Sequence, residues 1–365
     1  MLRSRSRTTS TVVLSALPVV AALGLVTPGT AQAATACTPD VGGTGLSAAV
    51  VAHAGQTISG RDVDATGCDI GIYVGAGADH VIIRSTTVHD SGFQGIFAEK
   101  TSWLKISDST VTGNGYGTID PSAPPLPGSG VHSYVGQAFA ISVFGVSHAT
   151  ISGNQVYDNG RGGIGVMDNG PFDPGALMSH QNPAAPLVPS SWVKVSDNTT
   201  WNNANGCGVV AATQNVGGSL SDITIRGNSI HGIGFQPAGP DIGGIVVAAD
   251  LPGSTVNGAD VSKNTVRDSF EGGLIVNAEA PGSKTIGVRL YDNVLSGNNV
   301  GFLEAPNTVG IITNAAPGAM NEGTQIYHNH ISGQFWGVWS RGDLPPSLSR
   351  NDITVTTGGM PVSLS

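Results

Sequence analysis

The sequence is short of charge, of cysteine, of long apolar runs and of any helical rhythm. Charged residues are only 11% of the 365, while hydrophobic residues reach 39%. Disorder normally couples high charge to low hydrophobicity, so this chain is expected to fold. Basic residues are scarcer than acidic ones, 16 against 25, which argues against nucleic acid and anionic membrane surfaces as partners. Cys207 has no nearby activating base in the sequence and reads as a small packed hydrophobe, not a catalytic thiol. Beyond residue 33 no segment is apolar enough to cross a bilayer, and no stretch sustains a period of 3.6. Helix should be nearly absent. Without βαβ units, the glycines at Gly160, Gly162 and Gly165 do not form a nucleotide-binding turn.

What is present begins with Arg3, Arg5 and Arg7, an apolar stretch, and Ala31-Gln32-Ala33. This is the pattern of a secretory signal peptide with a small-residue cleavage site. A membrane anchor is the alternative, but Ser15, Pro18 and Gly24 interrupt the run and leave it short of the roughly 20 apolar residues a span requires. An extracellular location is therefore expected, and export would allow Cys37 and Cys68 to pair. Removing residues 1–33 leaves 13 basic against 25 acidic residues, a charge near −12. The remainder is too long for one compact core, so it forms two domains or an elongated repeat.

The repeat is legible. "ATISGNQVYDNGRGGIGV" at 149–166 returns as "VKVSDNTTWNNANGCGVV" at 193–210 and as "ADVSKNTVRDSFEGGLIV" at 259–276. Each copy alternates apolar residues at period two, as half-buried strands require, and is bounded by Gly, Asn and Asp. Asn154, Asn198, Asn228, Asn264, Asn293, Asn329 and Asn351 occupy one place in successive copies, 22 to 44 residues apart. A coil of 22 residues with insertions at fixed places fits a parallel β-solenoid whose inward asparagines stack into a ladder. A propeller has a similar period but needs four strands per blade.

This pattern resembles the right-handed parallel β-helix (pectate-lyase-like) superfamily, and especially its short β-helix-repeat branch, over about residues 75–360. The resemblance implies an all-β fold: a right-handed parallel β-helix solenoid with loop insertions. The division expected is a signal peptide at 1–33, an N-terminal cap at 34–74 held by Cys37–Cys68, and the β-helix domain at 75–365. Members are commonly polysaccharide lyases, glycoside hydrolases, uronate epimerases or sugar-binding spikes. No W-I-D-H, R-x-P-x-x-R, N-T-D, D-D or D-P-H set is found at a matching place, so no residue is carried over and the reaction class stays open.

Chemistry should sit in the insertions that interrupt the coils, chiefly 115–147 and 168–192. Alternation turns Phe97, Glu99, His132 and Tyr134 outward, and Asp168 opens the second insertion. The candidate catalytic residues are therefore Glu99, Lys100, His132, Tyr134, Asp168 and His180, a set with carboxylates, histidine and a phenol for acid–base work on a sugar. A second outward column, His89, Tyr157, Trp201, His231 and Arg267, offers stacking surfaces and a cation for substrate binding. Asp90, Asp158 and Asp268 read as turn formers. Asp168 and Asp173 are hard oxygen donors, so calcium is left open, although the spacing of a calcium loop is missing.

The expectation is a secreted, monomeric, carbohydrate-active enzyme that cleaves glycosidic bonds of a polysaccharide or oligosaccharide. In a lyase, His132 or Tyr134 would take the C5 proton while Lys100 or Arg267 neutralises a uronate. In a hydrolase, Glu99 and Asp168 would be the acid and base pair. The rivals are a non-catalytic carbohydrate-binding or cell-surface solenoid and a β-helix doing small-molecule chemistry.

Overall fold

The structure, a computed structural model, describes residues 36–116, 139–204, 206–234, 243–302, 305, 307–342 and 344–364. These residues wind into a parallel β-helix. A typical coil runs through a three-residue strand such as Lys105–Ser107, a turn, a second short strand such as Thr110–Thr112, and a longer strand such as Phe139–Phe144. Each strand pairs in parallel with its counterpart one coil away: Ile151 sits between Ile106 and Val195, and Ile164 between Ile141 and Val209. The inward residues of all faces form one continuous aliphatic core of Ile, Val, Leu and Ala.

The asparagine column is the ladder expected from the sequence. Asn154, Asn198, Asn228, Asn264 and Asn293 are buried, and each donates from Nδ2 to Oδ1 of the next at 2.9–3.0 Å. The same Oδ1 accepts the backbone N–H of the asparagine one coil earlier, as in Asn228 to Asn264 at 2.9 Å. A second ladder, which the sequence reading did not separate from the first, runs through Asn114, Asn159 and Asn203 at the following corner. Residues just ahead of the ladders adopt left-handed backbone: Asp108, Asp197 and Asp292 at one corner, Asp90, Asp158 and Asp268 at the other. Aspartate and glycine tolerate that region, and this is the turn-forming role expected for the last three.

Pairing starts at Ala48, ahead of residue 75. Ala48–Ala52 pairs with Ile70–Val74, and Thr57–Ser59 with Ile82–Arg84, so residues 48–74 already complete a coil instead of lying over its end. Residues ahead of it are tied down by the Cys37–Cys68 disulfide and an antiparallel bridge from Thr38 to Ala48. The C-terminal segment Asp352–Leu364 likewise adds a parallel strand to His330–Arg341. Cys207 is buried, as its alternation required.

The outward face of the long strands is not a polar surface. Tyr73, Phe97, Val210, Val246, Ile275 and Ile312 stand in register on it, and all are buried in a second apolar cluster. Part of its cover comes from the segment after Met167: Gly175 lies against the Phe97 ring, and Leu177 packs into the cluster.

Candidate functional site

The long strands exit at a corner where polar residues replace apolar ones. Gln94–Glu99 ends on a carboxylate, and Lys100 follows with left-handed backbone, φ 49°. The Glu99 side chain is 2% exposed. Its Oε1 accepts from the Tyr73 hydroxyl at 2.5 Å, and its Oε2 lies 2.9 Å from Lys100 Nζ and 3.4 Å from Asn169 Nδ2. Lys100 Nζ also reaches Asp173 Oδ2 at 3.5 Å. One ammonium thus links two carboxylates, and the five groups come from three separated stretches of chain.

Burial dominates the electrostatics. It pushes Glu99 up to about 7, reinforced by Asp173 and opposed by Lys100 and the Tyr73 hydrogen bond. The Tyr73 hydroxyl is raised by burial and by the neighbouring Glu99 charge, so it remains a neutral phenol. Lys100 is raised because Glu99 and Asp173 outweigh its own desolvation, so it stays an ammonium. A pocket of about 410 Å³ opens onto this group, lined by Tyr73, Glu99 and Lys100 with Gly42, Val51 and His53. Gly42, at φ 62°, sits directly over the Tyr73–Glu99 hydrogen bond: a Cβ there would collide with the hydroxyl and lie 2.8 Å from Glu99 Oε1.

A second acidic group follows at the same corner on later coils. Asp168 is 1% exposed and accepts the Gln214 N–H on Oδ1, at 2.5 Å. The Gln214 side chain donates to Asp250 Oδ2 at 3.0 Å, and Asn277 Nδ2 holds Glu279 at 3.0 Å. Burial raises Asp168 to about 6, and burial with the charges of Glu279 and Asp168 raises Asp250 to about 8. Sequence reasoning missed Tyr73, Asp250 and Glu279 and took Asp173 only as a turn or metal residue.

The structure therefore brings Glu99 and Lys100 together. It turns Asp168 away from them, toward Gln214 and Gly218, because Asn169, the next residue along, takes the place beside Glu99. Glu99 and Asp168, the acid and base pair expected for a hydrolase, are both buried but bond to different partners, and the carboxylate that shares Lys100 with Glu99 is Asp173. Asp168 and Asp173 bond to different partners, the Gln214 N–H and Lys100. His180 is exposed on a short turn over Gly45, with Ser179 Oγ at 3.0 Å from Nδ1. His132 and Tyr134 lie outside the described residues.

The second column is in register as expected. Thr112, Tyr157, Trp201, His231 and Arg267 pair one after another, with Tyr157 and Trp201 stacked at 4.2 Å and Trp201 and His231 at 6.0 Å. Burial and the adjacent Arg267 lower His231. His89 is in the same register beyond Thr112. It is held between Asp90 at 2.7 Å and Asp62 at 3.1 Å, and these carboxylates raise it against its own desolvation. Asp64, His89 and Asp90 are the group of described residues whose donor atoms converge closely enough for a metal ion.

A family model described as right handed beta helix region matches residues 47–234, more than half of the chain. The chain belongs to the right handed beta helix family. Other structures of this β-helix type are similar in fold only. XylC in complex with xylose is 14% identical, with 76% of this chain and 38% of that one covered and a TM-score of 0.35. A hyperthermoactive exopolygalacturonase from Thermotoga maritima is 10% identical, with 77% and 54% covered and a TM-score of 0.46. The A-module of the Azotobacter vinelandii mannuronan C-5 epimerase AlgE4 is 14% identical, with 84% and 88% covered and a TM-score of 0.43. The chain spans about half the length of the exopolygalacturonase, and less of XylC. No curated protein matches the sequence.

Proposed function

We propose that the protein is an exported enzyme that cleaves a uronate-bearing polysaccharide by β-elimination, with Glu99 at the centre of proton transfer. The observation that carries this reading is a buried carboxylate raised to about 7, bonded at once to a neutral phenol and an ammonium at a pocket wall. A base poised near neutrality can take a proton and give it back. Lys100 neutralises the uronate carboxylate, which acidifies the C5 hydrogen. Glu99 takes that proton while the bond from C4 to the glycosidic oxygen breaks, and Tyr73 protonates the leaving oxygen. Tyr73 then recovers its proton from Glu99 through their hydrogen bond, so the site ends as it began. This assigns the phenol as acid, not base, because it starts protonated and the Glu99 charge that opposes the phenolate is removed when Glu99 takes the C5 proton.

The test follows ultraviolet absorbance of unsaturated uronates and new reducing ends together, on polygalacturonate, alginate and neutral glucans. Both signals should rise on a polyuronate and disappear in Glu99→Gln. Reducing ends without absorbance would replace elimination by hydrolysis. A second reading, a binding solenoid without catalysis, is favoured by the Tyr157–Trp201–His231 stack beside Arg267. Retention of intact polymer with neither signal would select it.

A further inference from the structure

The third corner of the coil, just before the strand series that includes Lys105–Ser107, carries a feature that neither the repeat nor the Glu99 site explains. His80, Trp103, His148 and Trp192 occupy this corner on four successive coils, and all four are exposed. Their φ angles are 59°, 61°, 55° and 57°. A bulky residue held there costs on the order of 1–3 kcal/mol, and such strain tends to collect where a ligand is met. The fold does not need rings at this place. On later coils the same corner is made by Asp222, Gly258, Gly287 and Gly323, residues suited to left-handed backbone.

The four rings form one ladder. His80 and Trp103 stack at 5.9 Å, Trp103 and His148 at 4.2 Å, and His148 and Trp192 at 6.1 Å, with planes within 3° to 19° of parallel. Trp103 and Trp192 remain 53% and 57% exposed. Among the described residues no further ring stacks on Trp192, and Asp222 takes the same corner on the next coil. Two residues beyond each tryptophan stands an exposed lysine, Lys105 and Lys194, and both pair with Thr150 between them. Their backbone positions are thus two coils apart, about 9.6 Å at a coil rise of about 4.8 Å. Of the carboxylates around it, Asp79 has Oδ1 occupied by the Ser102 N–H at 2.7 Å, Asp222 takes the corner after Trp192, and Asp108 and Asp197 stand at the far ends of the two lysine-bearing strands.

We propose that this aromatic and basic corner is a second carbohydrate-binding strip, separate from the Glu99 pocket, that takes an anionic glycan strand lying along the solenoid axis. The ring edges, which carry the positive rim of each π-system, meet hydroxyl and ring oxygens of the sugars, and Lys105 and Lys194 meet carboxylates spaced along the polymer. In a chain with a net charge of −9, paired lysines beside indoles select an acidic glycan over a neutral one. The choice of a uronate-bearing polymer rests on the function proposed above, but the strip does not depend on the chemistry at Glu99.

The experiment uses the full chain carrying Glu99→Gln, so that cleavage cannot obscure binding. Affinity electrophoresis is run through gels containing polygalacturonate, alginate or neutral dextran. The parent should be retarded by the polyuronates and not by dextran. Trp103→Gly combined with Trp192→Gly places glycine where the backbone already suits it, so the coil should fold with an unchanged or raised melting temperature. Its polyuronate affinity should fall by about tenfold or more. Lys105→Ala combined with Lys194→Ala, both at exposed positions, should weaken binding and flatten its salt dependence. Undiminished retention of the tryptophan double variant overturns the proposal, as does a parent that ignores both polyuronates. Absence of elimination activity from the protein that retains Glu99, with the strip still binding, would sink the Glu99 mechanism alone.

Discussion

Truncating Asn264 to alanine should cost far more than its size suggests, because its amide serves two neighbouring coils. Its Oδ1 accepts the Asn228 N–H at 2.9 Å and Asn228 Nδ2 at 3.0 Å, while its Nδ2 donates to Ile225 O and Asn293 Oδ1, each at 3.0 Å. All of this is buried, so water cannot substitute. Asn228 Nδ2 keeps Val195 O and Asn293 Oδ1 keeps the Asn264 N–H, but the Asn228 N–H and the Ile225 carbonyl lose these partners. At about 1–3 kcal/mol for each of these two buried groups left unsatisfied, the loss is about 2–6 kcal/mol. Asn351 is the control. It accepts from Asn329 but donates only to Ile326 O at 2.8 Å, and it is half-buried. Asn351→Ala should cost about 1–2 kcal/mol, since water can reach the vacated groups. Urea titration followed by circular dichroism measures both, with hydrogen exchange locating the coil that opens first. If Asn264→Ala cost under about 1 kcal/mol, or no more than Asn351→Ala, the ladder would be packing without hydrogen-bond energetics, and the argument would be wrong.

Three further expectations follow. Glu99, Asp168 and Asp250 are all raised in the folded state, to about 7, 6 and 8, so each binds protons more tightly folded than unfolded. Their stabilising contribution is complete below about pH 4 and is lost as pH rises through 6 to 8, so the melting temperature should fall across that range; Asp250→Asn should flatten the decline, and an unchanged slope would contradict the assignment. Gly42→Ala meets both a left-handed φ and the Tyr73 hydroxyl, so it should lower kcat at least tenfold through displacement of the Tyr73–Glu99 pair, with a small change in melting temperature; normal turnover would show that pair to be idle. Cys37→Ser with Cys68→Ser opens a link across a sequence separation of 31 residues and should destabilise by about 3–4 kcal/mol on a chain-entropy basis, measured by denaturant unfolding under oxidising conditions.

The coil architecture was legible because its signals are repeated and physically strict. Alternation fixes which residues face the core, and one buried amide per coil leaves asparagine at a recurrent place. The Asn114, Asn159 and Asn203 ladder carried the same signal at a second corner, but aligning one asparagine per copy hid it. Glu99 and Lys100 were reachable from alternation in "GIFAEK", and the Tyr157 to Arg267 column from the register of the strands. Asp173 was not, since its meeting with Lys100 depends on how a long loop folds back. Tyr73 was hidden for another reason: "GIYVG" alternates like every other long strand but fell in a segment read as a cap. The aromatic corner escaped because it is one residue per coil, of mixed type, in a backbone state that composition does not reveal.

The apolar layer outside the long strands gives the molecule two interiors of unequal toughness. The inner one is threaded by every coil and locked by amide ladders; the outer one is closed partly by loop residues, with Gly175 and Leu177 laid over Phe97 and its neighbours. The same loop delivers Asp173 to Lys100. Peeling the loop from that outer layer would take Asp173 from Lys100 while leaving Tyr73, Glu99 and Lys100 on the wound coils. Loop release and melting are then separate events, the first governed by a patch of greasy contacts and the second by the solenoid as a whole.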